Sequence, residues 1–199
     1  MTQHEKYKTI KKQSEGFFKD QNSKFYAFAF PVESEDEIHK FRNQLRKKFY
    51  DARHHVYAFV IGEDKSTFRA SDDGEPHNSS GPPVLNAIKS FDLTNVLVIV
   101  VRYFGGKKLG IPGLINAYRT AAEDALKNAE IIEKIPVIDI EFQCEFTQLN
   151  NVLQYVNLNN LKILDQQYDE KCHLHLSVDK NKYEDFIDFL QKLNISINS

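Results

Sequence analysis

Three stretches of the sequence bring together side chains able to do chemistry. The first is Arg102-Tyr103-Phe104-Gly105-Gly106-Lys107-Lys108, in which an arginine and two lysines bracket a glycine pair. Gly105 and Gly106 free the backbone to turn sharply, and Lys107 and Lys108 place two cations at the turn. A helix starting just beyond adds unpaired N–H groups and a partial positive charge. Such a place suits an anion, phosphate included. A tight connection carrying two solvated lysines fits the same residues. It is not a Walker A loop, because no glycine stands five residues before Gly106 and Lys108-Leu109 is no Lys-Ser/Thr pair. No G-x-G-x-x-G occurs either, so no nucleotide cofactor is expected. Arg102 ends a buried strand, and its guanidinium there needs a carboxylate, a carbonyl or an anionic ligand. Asp72 and Asp73 are the candidate partners.

The second stretch is Asp72-Asp73-Gly74-Glu75. Three carboxylates can hold a hard cation such as Mg²⁺, yet Asp-Asp-Gly is also what a turn requires. With His54 or His55 as base, these acids make a hydrolase the catalytic alternative. The histidines are the third group. His54 and His55 are adjacent at a strand start and so point to opposite faces. His173 and His175 share a face, but the sequence supplies no third ligand beside them. No complete nucleophile–base or metal set can be assembled, so no catalytic residue and no metal ligand is assigned. Ser79-Ser80-Gly81 lacks the strand–helix elbow of a serine nucleophile. Cys144 and Cys172 have no metal-like spacing and fit buried thiols in a reducing cytoplasm.

The elements that must position these residues follow from periodicity. Ser14–Asp20 and Lys24–Val32 flank a polar Gln-Asn-Ser turn and predict a β-hairpin. Ser34 caps a helix that opens on acids and closes on Arg46, Lys47 and Lys48, with Ile38, Phe41, Leu45 and Phe49 as its apolar stripe. His55–Ile61 and Ser66–Ala70 predict strands, and Pro82-Pro83 opens a second helix. Asn95–Phe104 is a continuous β-branched run, predicting a central strand buried on both faces. A long helix follows, with Ile111, Leu114, Ile115, Tyr118, Ala122, Ala125, Leu126 and Ala129 on its apolar side. The best domain boundary is Glu133-Lys-Ile-Pro, giving domains at 1–133 and 136–199. The second domain predicts β-α-β-β-α, with a short last strand at Ile195-Ser-Ile, the order of a ferredoxin-like α+β sandwich.

Composition sets the class. The 199 residues are 41% hydrophobic and 27% charged, the balance of an ordinary globular protein. A chain this long buries roughly 70% of its unfolded surface and needs no disulfide or metal to fold. No apolar run approaches the roughly 20 residues of a membrane helix. The start, Met1-Thr-Gln-His-Glu-Lys, is too polar for a secretory signal, so a cytoplasmic protein with no membrane partner is expected. Charge is uneven: residues 1–138 carry a net +3 and residues 139–199 a net −5. Different partners for the two parts would follow, with a basic protein docking on the acidic second domain.

The motifs Arg69-Ala-Ser-Asp-Asp-Gly-Glu-Pro, Gly81-Pro-Pro-Val-Leu and Leu93 through Gly110, in that order, resemble the signature of the YigZ/IMPACT family. Ser23-Lys-Phe, His54-His55 and Gly113-Leu-Ile-Asn-Ala-Tyr fall where that family has similar residues. The resemblance implies an α+β architecture. Its first domain would be like the second domain of a small-subunit ribosomal protein, with helices packed on one face of a sheet. Its second would be like a domain of elongation factor G. The resemblance also implies a link to translation, because IMPACT proteins restrain, through a ribosome-associated co-activator, a stress kinase that acts on an initiation factor, and fold analogy suggests RNA or the ribosome as partner. Carried onto this chain, the functional surface it implies is Arg69, Asp72, Asp73, Glu75, Arg102, Tyr103, Gly105, Gly106, Lys107 and Lys108. His77-Asn78-Ser79-Ser80 departs from the small-residue stretch usual in the family, and Pro112 stands where many members have a small residue. No segment here resembles the N-terminal partner-binding module of eukaryotic members, so the kinase-regulating role is not carried over.

Overall fold

In the computed structural model, residues 6–197 are described. The polar start read above for its lack of a signal therefore lies outside the described residues, apart from Lys6. The chain forms two compact units, one spanning Tyr7–Lys134 and the other running on from Ile135. Among the described residues no helix is long and apolar enough to cross a membrane.

The first unit is organised by β6 (Val96–Tyr103), the strand its β-branched run predicts. β6 lies at the middle of a five-stranded antiparallel sheet ordered β2-β3-β6-β4-β5, with β2 Ser14–Asp20, β3 Ser23–Pro31, β4 His54–Ile61 and β5 Thr67–Ser71. Its alternate residues feed two cores. Val96, Val98 and Val100 join Phe25, Ala27, Ala29, Val56 and Ala58 under α2 (Gly81–Ser90) and α3 (Gly110–Lys127). Leu97, Ile99 and Val101 join Phe28, Phe30, Tyr57 and Phe59 under α1 (Glu35–Lys48). Helices thus cover both faces of the sheet, where the family resemblance implied one. The reason is in β6 itself, since a strand apolar on both sides must be roofed on both sides.

α1 begins where its capping residue says it should: the Glu37 N–H donates to the Ser34 hydroxyl at 3.3 Å. α3 begins differently. No side chain caps it at Leu109, and Ile111 is 54% exposed, outside the apolar side the periodicity gave it. A further antiparallel pair, β1 (Tyr7–Ile10) and β7 (Ile131–Lys134), was not predicted. Each is four residues long and half polar, too short for an alternation to register.

The second unit has the predicted element order: β8 (Val137–Cys144), α4 (Phe146–Leu158), β9 (Lys162–Tyr168), β10 (Cys172–Asp179) and α5 (Tyr183–Lys192). Its sheet is ordered β8-β10-β9. Ile140, Phe142, Leu174, Leu176 and Val178 pack beneath Val152, Val156, Phe186 and Leu190 of the two helices. The last strand reduces to one isolated bridge between Ile197 and Phe142. Cys144 and Cys172 are buried free thiols facing each other across β8 and β10.

Candidate functional site: a cationic cleft at the end of the central strand

Arg102 is the penultimate residue of β6, in register between Phe25 of β3 and His54 of β4. The strand ends there, and a charge that the valine positions above it would not tolerate becomes possible at the core's edge. Its side chain is nonetheless buried, 7% exposed, so it must be neutralised. The partner is Glu75, not Asp72 or Asp73: Arg102 Nη1 donates to Glu75 Oε1 at 2.7 Å. The same oxygen accepts from the Tyr118 hydroxyl at 2.6 Å and lies 4.0 Å from His54 Nε2. Burial, then the Glu75 charge, pushes the Tyr118 phenol far above its usual range, so it remains a donor. Tyr118 reads in sequence as one more member of an apolar helix stripe. The signal for its role was that a buried tyrosine must place its hydroxyl somewhere.

The two aspartates are occupied elsewhere. Asp72 turns back onto the start of α2. Its Oδ1 accepts from the Ser80 and Gly81 N–H groups at 3.0 and 2.8 Å and from the Ser80 hydroxyl at 2.7 Å, and its Oδ2 accepts from the Asn78 N–H at 2.8 Å. Burial alone would raise its carboxyl, but these bonds outweigh it and hold Asp72 below the ordinary value. The stretch His77–Ser80 is therefore a loop stitched by Asp72. Asp73, at φ +42°, points the other way, accepting from Arg46 Nη2 at 2.6 Å and from the His55 N–H at 2.7 Å. His54 and His55 do face opposite sides, with His54 Nδ1 at 2.9 Å from the Asp73 carbonyl. Of the groups of the hydrolase alternative, Asp72 is taken up by the start of α2, Asp73 meets His55 through the backbone N–H and His54 through its own carbonyl, and Glu75 lies 4.0 Å from His54 Nε2 while paired with Arg102.

At the glycine pair, the structure assigns each residue a separate duty. A Cβ on Gly105 would lie 2.1 Å from the Asn22 carbonyl carbon, so only glycine lets the turn meet the β2–β3 hairpin. Its N–H donates to the Ser23 hydroxyl at 3.1 Å and so is not open to an anion. Gly106 has φ +87° and nothing near a Cβ, which makes it a conformational glycine. Tyr103 donates to Asp51 Oδ1 at 2.7 Å, and that hydrogen bond pushes its phenol up to about 12.

The surface here is concave. A cleft of about 570 Å³ is lined by Asp51, Arg53, His54, Arg102, Tyr103, Phe104 and Lys108. A second, of about 310 Å³, is lined by Glu75, Pro76, Arg102, Phe104 and Lys108, then by Leu109 through Ile111 at the start of α3, and by Leu114. Lys107 is exposed beside them. The structure thus gathers Glu75, Arg102, Tyr103 and Lys108 at one end of the sheet. Arg69 falls outside this group: it stands opposite Phe59, on the α1 side of the edge strand β5. Phe104, at 59% exposure, and Arg53 enter the site without having been singled out in sequence.

In the second unit, His173 and His175 of β10 share the open face of the sheet with Glu141 and Gln143 of β8 and Asp165 and Gln167 of β9, lining a depression of about 280 Å³. His175 Nδ1 is 3.8 Å from Glu141 and His173 Nε2 is 3.2 Å from Asp169. Among the described residues, no three His, Cys, Asp or Glu side chains are placed to hold a metal ion.

With the geometry in place, similarity to known proteins adds identity. Residues 21–126 match the Impact N-terminal domain, and residues 142–193 match a domain of unknown function, DUF1949. The chain is 28% identical over 187 residues to the IMPACT family member YvyE of Bacillus subtilis, covering 94% of this chain and 86% of that protein. It is 30% identical to the IMPACT family member YigZ of Escherichia coli, covering 82% of this chain and 81% of that one. A crystal structure of a hypothetical protein superposes with a TM-score of 0.77 at 25% identity, covering 99% and 98% of the two chains. A domain match over more than half of the sequence, together with relatives aligned over most of their own length, means that this chain belongs to the YigZ/IMPACT family.

Proposed function

We propose that this protein is a cytoplasmic, translation-linked binding factor that takes a polyanion, RNA or a ribosomal RNA surface, at the cleft around Arg102 and Lys108. The observation that carries the reading is the state of the charges there. The acids lining the clefts already have partners, Glu75 with Arg102 and Tyr118 and Asp51 with Tyr103. Arg53, Lys107 and Lys108 have no hydrogen bond or ion pair among the described residues. With Arg53, Arg102, Lys107 and Lys108 against Asp51 and Glu75, this concave surface keeps an excess of positive charge, which favours a negative ligand. The uncapped start of α3 adds its partial positive charge to the same place.

Two further strands support the reading. Membership of the YigZ/IMPACT family and the resemblance to IMPACT proteins support translation as the setting. We read the second unit as ferredoxin-like from its β-α-β-β-α order, and the first as related to the second domain of a small-subunit ribosomal protein. Such likeness is analogy and carries less weight than the cleft. The test is binding of an RNA oligonucleotide and of ribosomes at two salt concentrations, for the natural chain and for Lys107→Ala/Lys108→Ala. Affinity should fall steeply with salt, and the double variant should bind more weakly with a shallower salt slope. Binding that the double variant leaves unchanged would remove the site from the glycine turn.

A further inference from the structure

Of the two aromatic residues at the end of β6, Tyr103 is the one tied down. Its hydroxyl is held by Asp51, and its ring meets Tyr26 edge-on at 6.1 Å. Phe104 is the opposite case. It sits just past the last residue of the strand and exposes 59% of its surface. It is also the meeting point of three clefts: the two described above and a third of about 540 Å³, lined by Asn22, Lys24, Tyr26, Phe49, Asp51 and Tyr103. The Arg102 guanidinium lies 5.6 Å from the Phe104 ring centroid, and Phe25 lies 5.5 Å from the same guanidinium. The ring is therefore backed by a buried, neutralised arginine on a rigid strand end.

A single exposed phenylalanine means little by itself. This one is flanked by Arg53, Lys24 and Lys108, none with a partner among the described residues, at the junction of an open trough. A flat apolar face beside cations suits the π-face of a nucleobase with its phosphates alongside. A neutral or basic peptide would gain nothing from the surplus of positive charge. A duplex keeps its bases stacked on one another and has none to offer.

We propose that Phe104 is a stacking platform for an unpaired base, which makes the ligand of this cleft a single-stranded polynucleotide, RNA or DNA. Arg53 and Lys108 take the phosphates that flank the stacked base. The proposal rests on the polyanion reading above and narrows it from charge to base.

The chain contains no tryptophan, so Phe104→Trp installs a single fluorescent reporter at the platform itself. With the whole 199-residue chain, a 12-mer of single-stranded RNA, the same sequence as DNA, its duplex and inorganic tripolyphosphate are titrated in turn. Either single strand should quench the tryptophan, whereas duplex and tripolyphosphate should not. Phe104→Ala should weaken single-strand binding by roughly 5- to 150-fold, with the salt slope unchanged. Equal binding of RNA and DNA, or a preference for RNA, supports the proposal. Single-strand affinity that survives Phe104→Ala but falls in Lys107→Ala/Lys108→Ala overturns the platform and leaves the polyanion reading standing. Quenching by tripolyphosphate equal to that by RNA also overturns the platform. If the natural chain binds none of the four ligands at low salt, both readings fall together. Far-ultraviolet circular dichroism melts of each variant show whether a lost affinity is merely a lost fold.

Discussion

The loop at 72–75 and the turn at 104–108 lie at the same end of one sheet, and both are dense in charge. Yet they treat that charge in opposite ways. In the first, every carboxylate is turned inward onto a named partner: Asp72 onto the start of α2, Asp73 onto Arg46 and the β4 backbone, Glu75 onto Arg102 and Tyr118. In the second, Lys107 and Lys108 are exposed, and the turn is held by the Gly105 N–H on the Ser23 hydroxyl and by the Phe104 ring against Arg102. A charged motif is evidence of a site only where its charges remain uncommitted. By that measure the acids are part of the scaffold, and the cations are what the scaffold presents.

The largest effect should come from opening the closed side. Glu75→Gln keeps the shape of the side chain but leaves the Arg102 guanidinium buried without a counter-charge. Breaking one partner of a buried pair costs about 3–5 kcal/mol, read as a fall in the urea midpoint. Replacing both residues with leucine should recover much of that loss, because the pair's Coulomb gain and its desolvation cost nearly cancel. A Glu75→Gln chain as stable as the natural one would mean that the ion pair is not what seats Arg102 beneath Phe104, and the contrast between the loops would fail.

How much of this was legible in the residues follows the range of the interaction. β6 was predicted as Asn95–Phe104 and runs Val96–Tyr103, and Ser34 caps α1 as its type demands, because both signals are local. The resemblance pointed to the neighbourhood of the proposed site, since ordered motifs survive without any knowledge of contacts. What could not be read was which acid meets which base. Three carboxylates within four residues are equivalent in sequence, and only the turn geometry sends Asp72 and Asp73 away and leaves Glu75 for Arg102. Phe104 and Ile111 were assigned by pattern to a strand and to an apolar helix side. They are exposed because both elements overhang the sheet end, where Phe104 and Ile111 line the cleft instead. Pairing of β1 with β7 spans more than a hundred residues and leaves no local trace.

A smaller effect tests the closed side by pH. His55 is buried toward α1, and its Nε2 has no hydrogen-bond partner among the described residues. Burial pushes its imidazole below the ordinary value of about 6.5, more than the neighbouring Asp73 raises it. The folded chain therefore binds fewer protons than the unfolded one once the pH drops below about 6.5. The stability present above that pH is lost as the pH falls through the depressed native value. Urea midpoints at pH 7.5 and 5.5 should differ, and the difference should shrink in His55→Gln. An unchanged pH difference in that variant would assign the loss to other groups.

The smallest effect belongs to the open side, and its smallness is the point. Removing an exposed, unpaired charge from a turn takes away no hydrogen bond and no packing, so Lys107→Ala/Lys108→Ala should leave the urea midpoint within about 0.5 kcal/mol of the natural chain. The close approach of the turn to the hairpin depends on Gly105 and Ser23, neither of which the double variant touches. A clear loss of stability would show that the lysines hold the turn, placing them with the acids as scaffold. A silent midpoint alongside a lost affinity for RNA would mean that the two lysines serve a ligand and not the fold.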